Sequence, residues 1–256
     1  MTFLDEYAKY YDVLYNDKDY ASEARFIQTL LDRYVPGAKA VLELGCGTGI
    51  HAALLAEKGF SIHGVDISSS MIEKAQERRK ALRSEVSDRL KYSQDDMRSF
   101  TTENKYDAVI SLFHVINYLN SNEDLRDAFN TARAHLRSQG MFIFDSWYGP
   151  TVLNNPPVVR VKRKENEDVV ITRISEPELR PDENCVVVDY TIFIKDKKTK
   201  AIKEFKEKHR MRYLFMPEVK QFFEDQDMKI IAAREWMTDR EPGIDTFGVY
   251  FVGKAE

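Results

Sequence analysis

Residues 40–49 read Ala40-Val41-Leu42-Glu43-Leu44-Gly45-Cys46-Gly47-Thr48-Gly49. A short, mostly apolar run that does not alternate with polar residues is expected of a parallel strand covered on both faces. The glycines that end it allow a tight turn and a close approach of backbone to a ligand at the strand's carboxyl end. The apolar residues Ile50, Ala53, Leu54 and Ala56 before Gly59 predict a short helix, whose N-terminal N–H groups would face the same place. In a dinucleotide fingerprint the third glycine follows the second after two residues; here it follows after one, so the turn is tighter and less suited to a pyrophosphate.

Working outward, Ser61–Asp66 reads as a second strand, and Ser68 or Ser69 can cap a helix whose basic end holds Lys74, Arg78, Arg79 and Lys80. Leu90–Ser93, Tyr106–Leu112 and Met141–Trp147 are further strands, with a helix over Glu123–Leu136 before the last. Strands alternating with helices predict a parallel sheet. After Gly149-Pro150 and the loop Asn154–Pro157 the period becomes two. Cys185–Ile194 and Phe205–Tyr213 alternate as antiparallel strands, joined by a turn over Lys195–Lys200. In the second, Phe205, Glu207, His209, Met211 and Tyr213 share one face, and Lys206, Lys208, Arg210 and Arg212 the other. A helix over Pro217–Gln226 and strands Lys229–Met237 and Thr246–Val252 then complete the main sheet. The expected fold is α/β: a Rossmann-like, seven-stranded, mostly parallel sheet with an antiparallel β insertion near the active site. Its parts are an N-terminal helical lid (1–36), a core (37–150 and 215–256) and the insertion (151–214).

Composition narrows the function. The chain of 256 residues carries 38 Lys and Arg against 42 Asp and Glu, a formal net charge of -4, which offers no general basic field for nucleic acid. The one basic stretch, Arg160–Lys164, reads as the solvated face of a strand. The N-terminus lacks the pattern of a signal peptide and the apolar runs are too short to span a bilayer, so a cytoplasmic location is expected, with no membrane partner. Cys46 and Cys185 lack zinc or disulfide spacing, the five histidines are scattered, and no metal is expected.

The run Glu43–Gly49 resembles the glycine-rich motif I of class I S-adenosylmethionine-dependent methyltransferases, and the similarity extends from about Val41 to Phe144. The resemblance implies S-adenosylmethionine as cofactor, leaving S-adenosylhomocysteine, with Glu43, Gly45, Cys46, Gly47 and Gly49 forming its cradle. Asp66, at the end of the second strand, can accept hydrogen bonds from both ribose hydroxyls; a helix cap is the other role open to it. By the same resemblance Asp96, or Asp95 in its place, holds the adenine amino group with Met97 nearby, and Ile67, Met71 and Leu112 line the nucleoside. Tyr11–Tyr20 resembles the segment that lids the cofactor in methyltransferases acting on amino groups of nucleotide-linked sugars, although it is shorter by a residue or two. Tyr11 and Tyr20 would then reach the methionine end or the reactive centre, while Tyr7, Tyr10 and Tyr15 are expected simply to pack.

The fourth strand runs into Leu112–Tyr118, where the acceptor must meet the methyl group. His114 can accept a proton near neutral pH. Tyr118 stands where the sugar-amine enzymes tend to carry a histidine. Glu207 and His209, a polar pair on an apolar strand face, either pair with each other or face a cavity. The catalytic candidates are thus His114, Tyr118, Tyr11, Glu207 and His209, and Trp147, Tyr148 and Tyr213 suit a sugar ring. The expected substrate is a small molecule, the amino group of a nucleotide-linked sugar, with a homodimer as candidate assembly. An O-methyltransferase of a natural product, a non-catalytic cofactor-binding protein and a nicotinamide-dependent dehydrogenase are the competing readings.

Overall fold

The computed structural model describes residues 10–256; Tyr7 and the rest of residues 1–9 lie outside the described residues. The first five strands are β1 (Ala40–Leu44), β2 (Ser61–Asp66), β3 (Leu90–Gln94), β4 (Tyr106–Ser111) and β5 (Leu136–Trp147). Four longer or more exposed strands follow: β6 (Arg160–Glu165), β7 (Val169–Arg180), β8 (Cys185–Asp196) and β9 (Ile202–Arg212). The chain closes with β10 (Met228–Glu235) and β11 (Gly248–Ala255).

Seven strands make the main sheet in the order β10-β11-β5-β4-β1-β2-β3, and β6-β7-β8-β9 form a separate antiparallel sheet. In the main sheet β11 is antiparallel to both neighbours, whereas β1 to β5 pair in parallel. This is the expected Rossmann-like α/β arrangement. The winding reverses between β1 and β4, and in open sheets of this kind ligands bind outside the carboxyl ends of the strands at that point.

Helices α1 (Tyr20–Tyr34), α2 (Ile50–Glu57), α3 (Ser69–Lys80), α4 (Asn122–His135) and α5 (Met216–Glu224) cover the sheet. Their ends follow from local chemistry. Asp19 accepts from Ser22 N to cap α1, Ser68 accepts from Met71 N to cap α3, and Ser121 and Asp124 form a capping box on α4. Both sheet faces are buried: alternate residues of β5, Met141 and Ile143 on one side and Phe142 and Phe144 on the other, enter two different apolar clusters. One cluster takes Ala24, Ile27, Leu30 and Leu31 from α1. The other is aromatic, with Phe129 of α4 lying 5.0–5.5 Å from Phe142, Phe144 and Phe223.

The second sheet packs Val169, Ile171, Ile192 and Ile194 against Tyr10, Tyr11, Val13, Leu14 and Tyr15 of the N-terminal segment. Arg212, on the face of β9 that carries Lys206, Lys208 and Arg210, is buried, donating to the Asn120 carbonyl and Asn122 Oδ1 and pairing with Glu218. One expectation about the charged residues is corrected here. Lys162 and Lys164, on the stretch expected to be a solvated face, are half-buried and bind the Asp17 carboxylate at 3.1 and 2.7 Å.

Candidate active site

The turn after β1 is built by hydrogen bonds that fold it back on β2. Gly45 N and Cys46 N both donate to the Val65 carbonyl at 2.7 and 3.0 Å. Gly45 and Gly47 both have left-handed φ, 77° and 54°, but for different reasons. A Cβ on Gly45 would fall 2.3 Å from Val115 Cγ1, whereas one on Gly47 would meet nothing within 4 Å. Gly45 therefore serves packing; Gly47 leaves its surroundings open to a ligand. Gly49, also left-handed, opens α2, and Cys46 and Leu112 are buried beneath the turn.

Two acids stand at neighbouring strand ends. Asp66 accepts from Gly47 N at 2.8 Å and from Ser68 N at 2.9 Å, one on each oxygen, so each oxygen keeps a lone pair for a ribose hydroxyl. The cap of α3 belongs to Ser68, which releases Asp66 from that role. Burial raises the Asp66 pKa. Glu43 is more enclosed still. It is buried, its Oε2 has no partner, and burial together with the Asp66 charge pushes its carboxyl up to about 8. An orphaned, buried acceptor beside an open glycine turn fits a cationic donor such as the methionine ammonium of S-adenosylmethionine.

Beyond Asp66, Ile67 is 60 % exposed, an apolar surface of the kind a purine covers, whereas Met71 is buried and packs with Leu14. Asp96 is gripped by Arg98, which also binds Asp124; Asp95 is exposed and accepts only its neighbour's N–H among the hydrogen bonds described. Met97 is half-buried against the aromatic cluster. Beyond Asp66, Ile67 and Asp95 thus stay exposed, whereas Asp96 is already paired.

The N-terminal segment is latched onto the glycine turn. Thr48 Oγ1 donates to Asp12 at 2.8 Å, and Arg78 binds the other Asp12 oxygen at 2.6 Å. Tyr11 lies 4.8 Å from the Tyr15 ring, Tyr20 lies 5.0 Å from His51, and burial raises both the Tyr11 and Tyr20 phenols. Lys18 sits 4.3 Å over the Phe113 ring and pairs with Glu23, which also holds His51 at 2.8 Å.

A cleft of about 370 Å³ opens at the carboxyl ends of β4 and β5, lined by Tyr15, Phe113 and Trp236 together with His114, Asp145 and Lys162. Tyr15, expected only to pack, lines it and accepts a hydrogen bond from Arg173 at 2.9 Å. Phe113 and His114 are consecutive left-handed residues, φ 67° and 61°, a strained turn held by the buried Asp145 carboxylate, which accepts from His114 N at 3.2 Å. His114 Nδ1 also lies 2.7 Å from Asp145 but without hydrogen-bond alignment. Nearby, Tyr118 and Glu207 meet the two nitrogens of His209 at 2.8 and 2.7 Å.

Sequence reasoning did not single out Asp12, Lys18, Glu23 or Asp145. Asp145 had a signal: it ends the apolar run Met141–Phe144 just as Asp66 ends its own strand. The others depend on contacts between distant segments. Among the described residues no group of three or more His, Cys, Asp or Glu is placed to hold a metal ion, and no helix is long and apolar enough to cross a membrane.

Residues 41–140 match the model of a methyltransferase domain. A Geobacillus sp. protein named only as a methyltransferase is 26 % identical over 255 residues, covering 99 % of this chain and 100 % of its own. Residues 41–140 thus form a methyltransferase domain, and the chain is a methyltransferase by its likeness to a relative along its whole length. The methyltransferase is also 31 % identical over 147 residues (57 % of this chain, 59 % of the relative) to the dTDP-3-amino-3,4,6-trideoxy-alpha-D-glucopyranose N,N-dimethyltransferase of Streptomyces venezuelae. With the dTDP-3-amino-3,6-dideoxy-alpha-D-glucopyranose N,N-dimethyltransferase of Streptomyces fradiae it shares 27 % over 208 residues, 80 % of this methyltransferase and 77 % of that enzyme. Its fold is that of an S-adenosylmethionine-dependent methyltransferase from Clostridium acetobutylicum, with a TM-score of 0.81 at 20 % identity over 99 % of each chain.

Proposed function

We propose that the enzyme methylates the amino group of a nucleotide-linked sugar. The observation that carries this reading is the likeness to the two Streptomyces enzymes, both of which are named as acting on an amino sugar joined to dTDP. The cleft supports it. Aromatic Tyr15, Phe113 and Trp236 suit the faces of a sugar ring, and Lys18 and Lys162 stand where an anionic nucleotide would pass.

S-adenosylmethionine supplies an activated methyl group on a sulfonium, transferred by in-line displacement. Glu43 would hold its ammonium, Asp66 its ribose diol and the Ile67–Asp95 edge its purine. The lid expected over residues 1–36, of which residues 10–36 are described, would be latched through Asp12 and exclude water from the reacting end, and the insertion of residues 151–214 would roof the cleft beside the core. Alignment of two bound reactants supplies ~7–11 kcal/mol of rate enhancement, so the main task of these residues is placement. An amine must be neutral to attack, which gives the His114–Asp145 contact and the Tyr118–His209–Glu207 group their chemical use; Tyr11 packs against Tyr15.

The test is competition. Given S-adenosylmethionine, the enzyme should add one or two methyl groups to dTDP-3-amino-3,6-dideoxy-alpha-D-glucopyranose and none to the matching sugar with a hydroxyl in place of the amine. Methylation of the hydroxyl sugar alone would favour O-methylation and end this reading.

A further inference from the structure

Tyr118 and His209 come from distant parts of the chain, the 3₁₀ turn Val115–Tyr118 after β4 and strand β9, yet they meet with Glu207 in a single row. Glu207 Oε2 lies 2.7 Å from His209 Nε2, and the Tyr118 hydroxyl lies 2.8 Å from His209 Nδ1. An ionised carboxylate can only accept, so the imidazole proton belongs on Nε2 and Nδ1 accepts the Tyr118 O–H. Glu207 is 4 % exposed and its second oxygen has no partner, leaving the carboxylate's charge undiverted. Tyr118 keeps 48 % of its surface open, four residues beyond His114 of the cleft.

We propose that Tyr118 is the catalytic residue that takes the acceptor's proton, with His209 and Glu207 as positioning residues that receive and stabilise it; this rests on the amine-acceptor reading above. An acceptor ammonium gives its N–H proton to the Tyr118 oxygen while the Tyr118 O–H proton moves to His209 Nδ1. The balance is a neutral amine, an unchanged phenol and an imidazolium beside the Glu207 carboxylate. The freed nitrogen pair forms the bond to the methyl carbon as the carbon–sulfur bond breaks, its electron pair remaining on sulfur. His209 afterwards returns its proton to solvent.

Although about half of the Tyr118 surface is open, its hydroxyl end is desolvated, and this together with Tyr15, Tyr190 and Glu207 raises the phenol, against which Arg173 pulls the other way, so a phenolate base is unsuited to the site. A hydroxyl that accepts one proton as it gives up another avoids that state. Tyr11 and Tyr15 from the N-terminal segment, Arg173 from β7, Tyr190 from β8 and Glu207 from β9 are the titratable and charged groups facing the row. His114 lacks an equivalent geometry, since its Nδ1 meets Asp145 off the hydrogen-bonding line.

The experiment uses the full chain with nitrogen-15-labelled histidine. NMR of wild type, Tyr118→Phe and Glu207→Gln should show the Nε2–H tautomer for the His209 ring in wild type. Loss of the hydroxyl removes the donor to Nδ1 and should move the Nδ1 resonance while the proton stays on Nε2; loss of the carboxylate removes the acceptor that holds the proton on Nε2 and should let the Nδ1–H tautomer appear. With dTDP-3-amino-3,6-dideoxy-alpha-D-glucopyranose as acceptor, Tyr118→Phe should lower kcat about 100-fold or more, with S-adenosylmethionine affinity unchanged. A wild type without the Nε2–H tautomer, or a ring whose resonances move in neither variant, would overturn the row, and an undiminished kcat in Tyr118→Phe would overturn its catalytic use. A wild type that binds but never methylates the probe would sink the amino-sugar reading, while the imidazole shifts still decide the row.

Discussion

At Glu43, the cofactor-binding role proposed above and stability pull in opposite directions. Its carboxyl is pushed up to about 8 in the fold, above the ordinary value of 4.5. A folded pKa above the unfolded one means the contribution to stability is complete below about 4.5 and is lost as pH rises towards 8. Replacing Glu43 with Gln should therefore raise the Tm of the ligand-free protein at pH 8 by several degrees, about 2–4 °C for each kcal/mol recovered. The same change should weaken S-adenosylmethionine binding about tenfold or more, as expected when a hydrogen bond to a charged group worth ~1.5–3 kcal/mol is lost. An unchanged affinity in calorimetry would remove Glu43 from the cofactor site.

His63 shows the reverse sign. Buried between the Tyr106 hydroxyl at 2.6 Å and Ser93 Oγ at 2.8 Å, it is lowered to about 4 by burial, with Lys91 and His135 adding to the effect. A depressed histidine supports the fold fully above its unfolded value, about 6.5, and that support drains away as pH falls towards 4. Urea midpoints measured at pH 7 and 4.5 should fall steeply in wild type and less so in His63→Gln. Equal losses in both would assign the acid sensitivity elsewhere.

Among elements, the N-terminal segment is where packing and function meet. Asp12 joins it to the glycine turn through Thr48 and to α3 through Arg78, yet its side chain is 41 % exposed. An exposed ion pair contributes little to global stability, ~0–1 kcal/mol, so Asp12→Ala should leave Tm nearly unchanged. It should instead speed hydrogen exchange over residues 10–18 and raise the S-adenosylmethionine Kd several-fold, with off-rate rather than on-rate responsible. If exchange and Kd both matched wild type, the latch would have no bearing on the cofactor.

The elements themselves were largely legible from the chain. The apolar runs at Val41–Leu44 and Met141–Phe144 announce buried parallel strands, and Ser68 and Ser121 mark helix starts. β6 and β7 were harder to place, because the runs are charged and Pro177 interrupts the second. The fold accommodates Pro177 because β6 pairs only with Val170–Ser175, leaving that part of β7 an unpaired edge on one side. Arg212 alternates like its solvated neighbours, and only the meeting of β9 with Glu218 and Asn122 turns it inward. Pattern reading assigns a side chain to a face; it does not reveal what another segment brings to that face.

At the scale of the whole molecule, the candidate site brings together strand ends, the N-terminal segment and a second sheet. Glu43, Gly47 and Asp66 could be placed from the sequence because strand, turn and acid lie within one contiguous stretch. The cleft could not: Tyr15, Asp145, Lys162 and Trp236 are far apart in the chain and converge only when the second sheet folds over the N-terminal segment. Every role assigned to that cleft presupposes that the neighbouring crevice holds a sulfonium nucleoside. Calorimetric titration of the full chain with S-adenosylmethionine tests this most directly, in wild type and in Asp66→Ala. One site per chain should appear in wild type, and affinity should drop at least about tenfold in the variant as charge-assisted bonds to the diol are lost. Equal affinity in the two proteins, or no binding by wild type, would contradict the account.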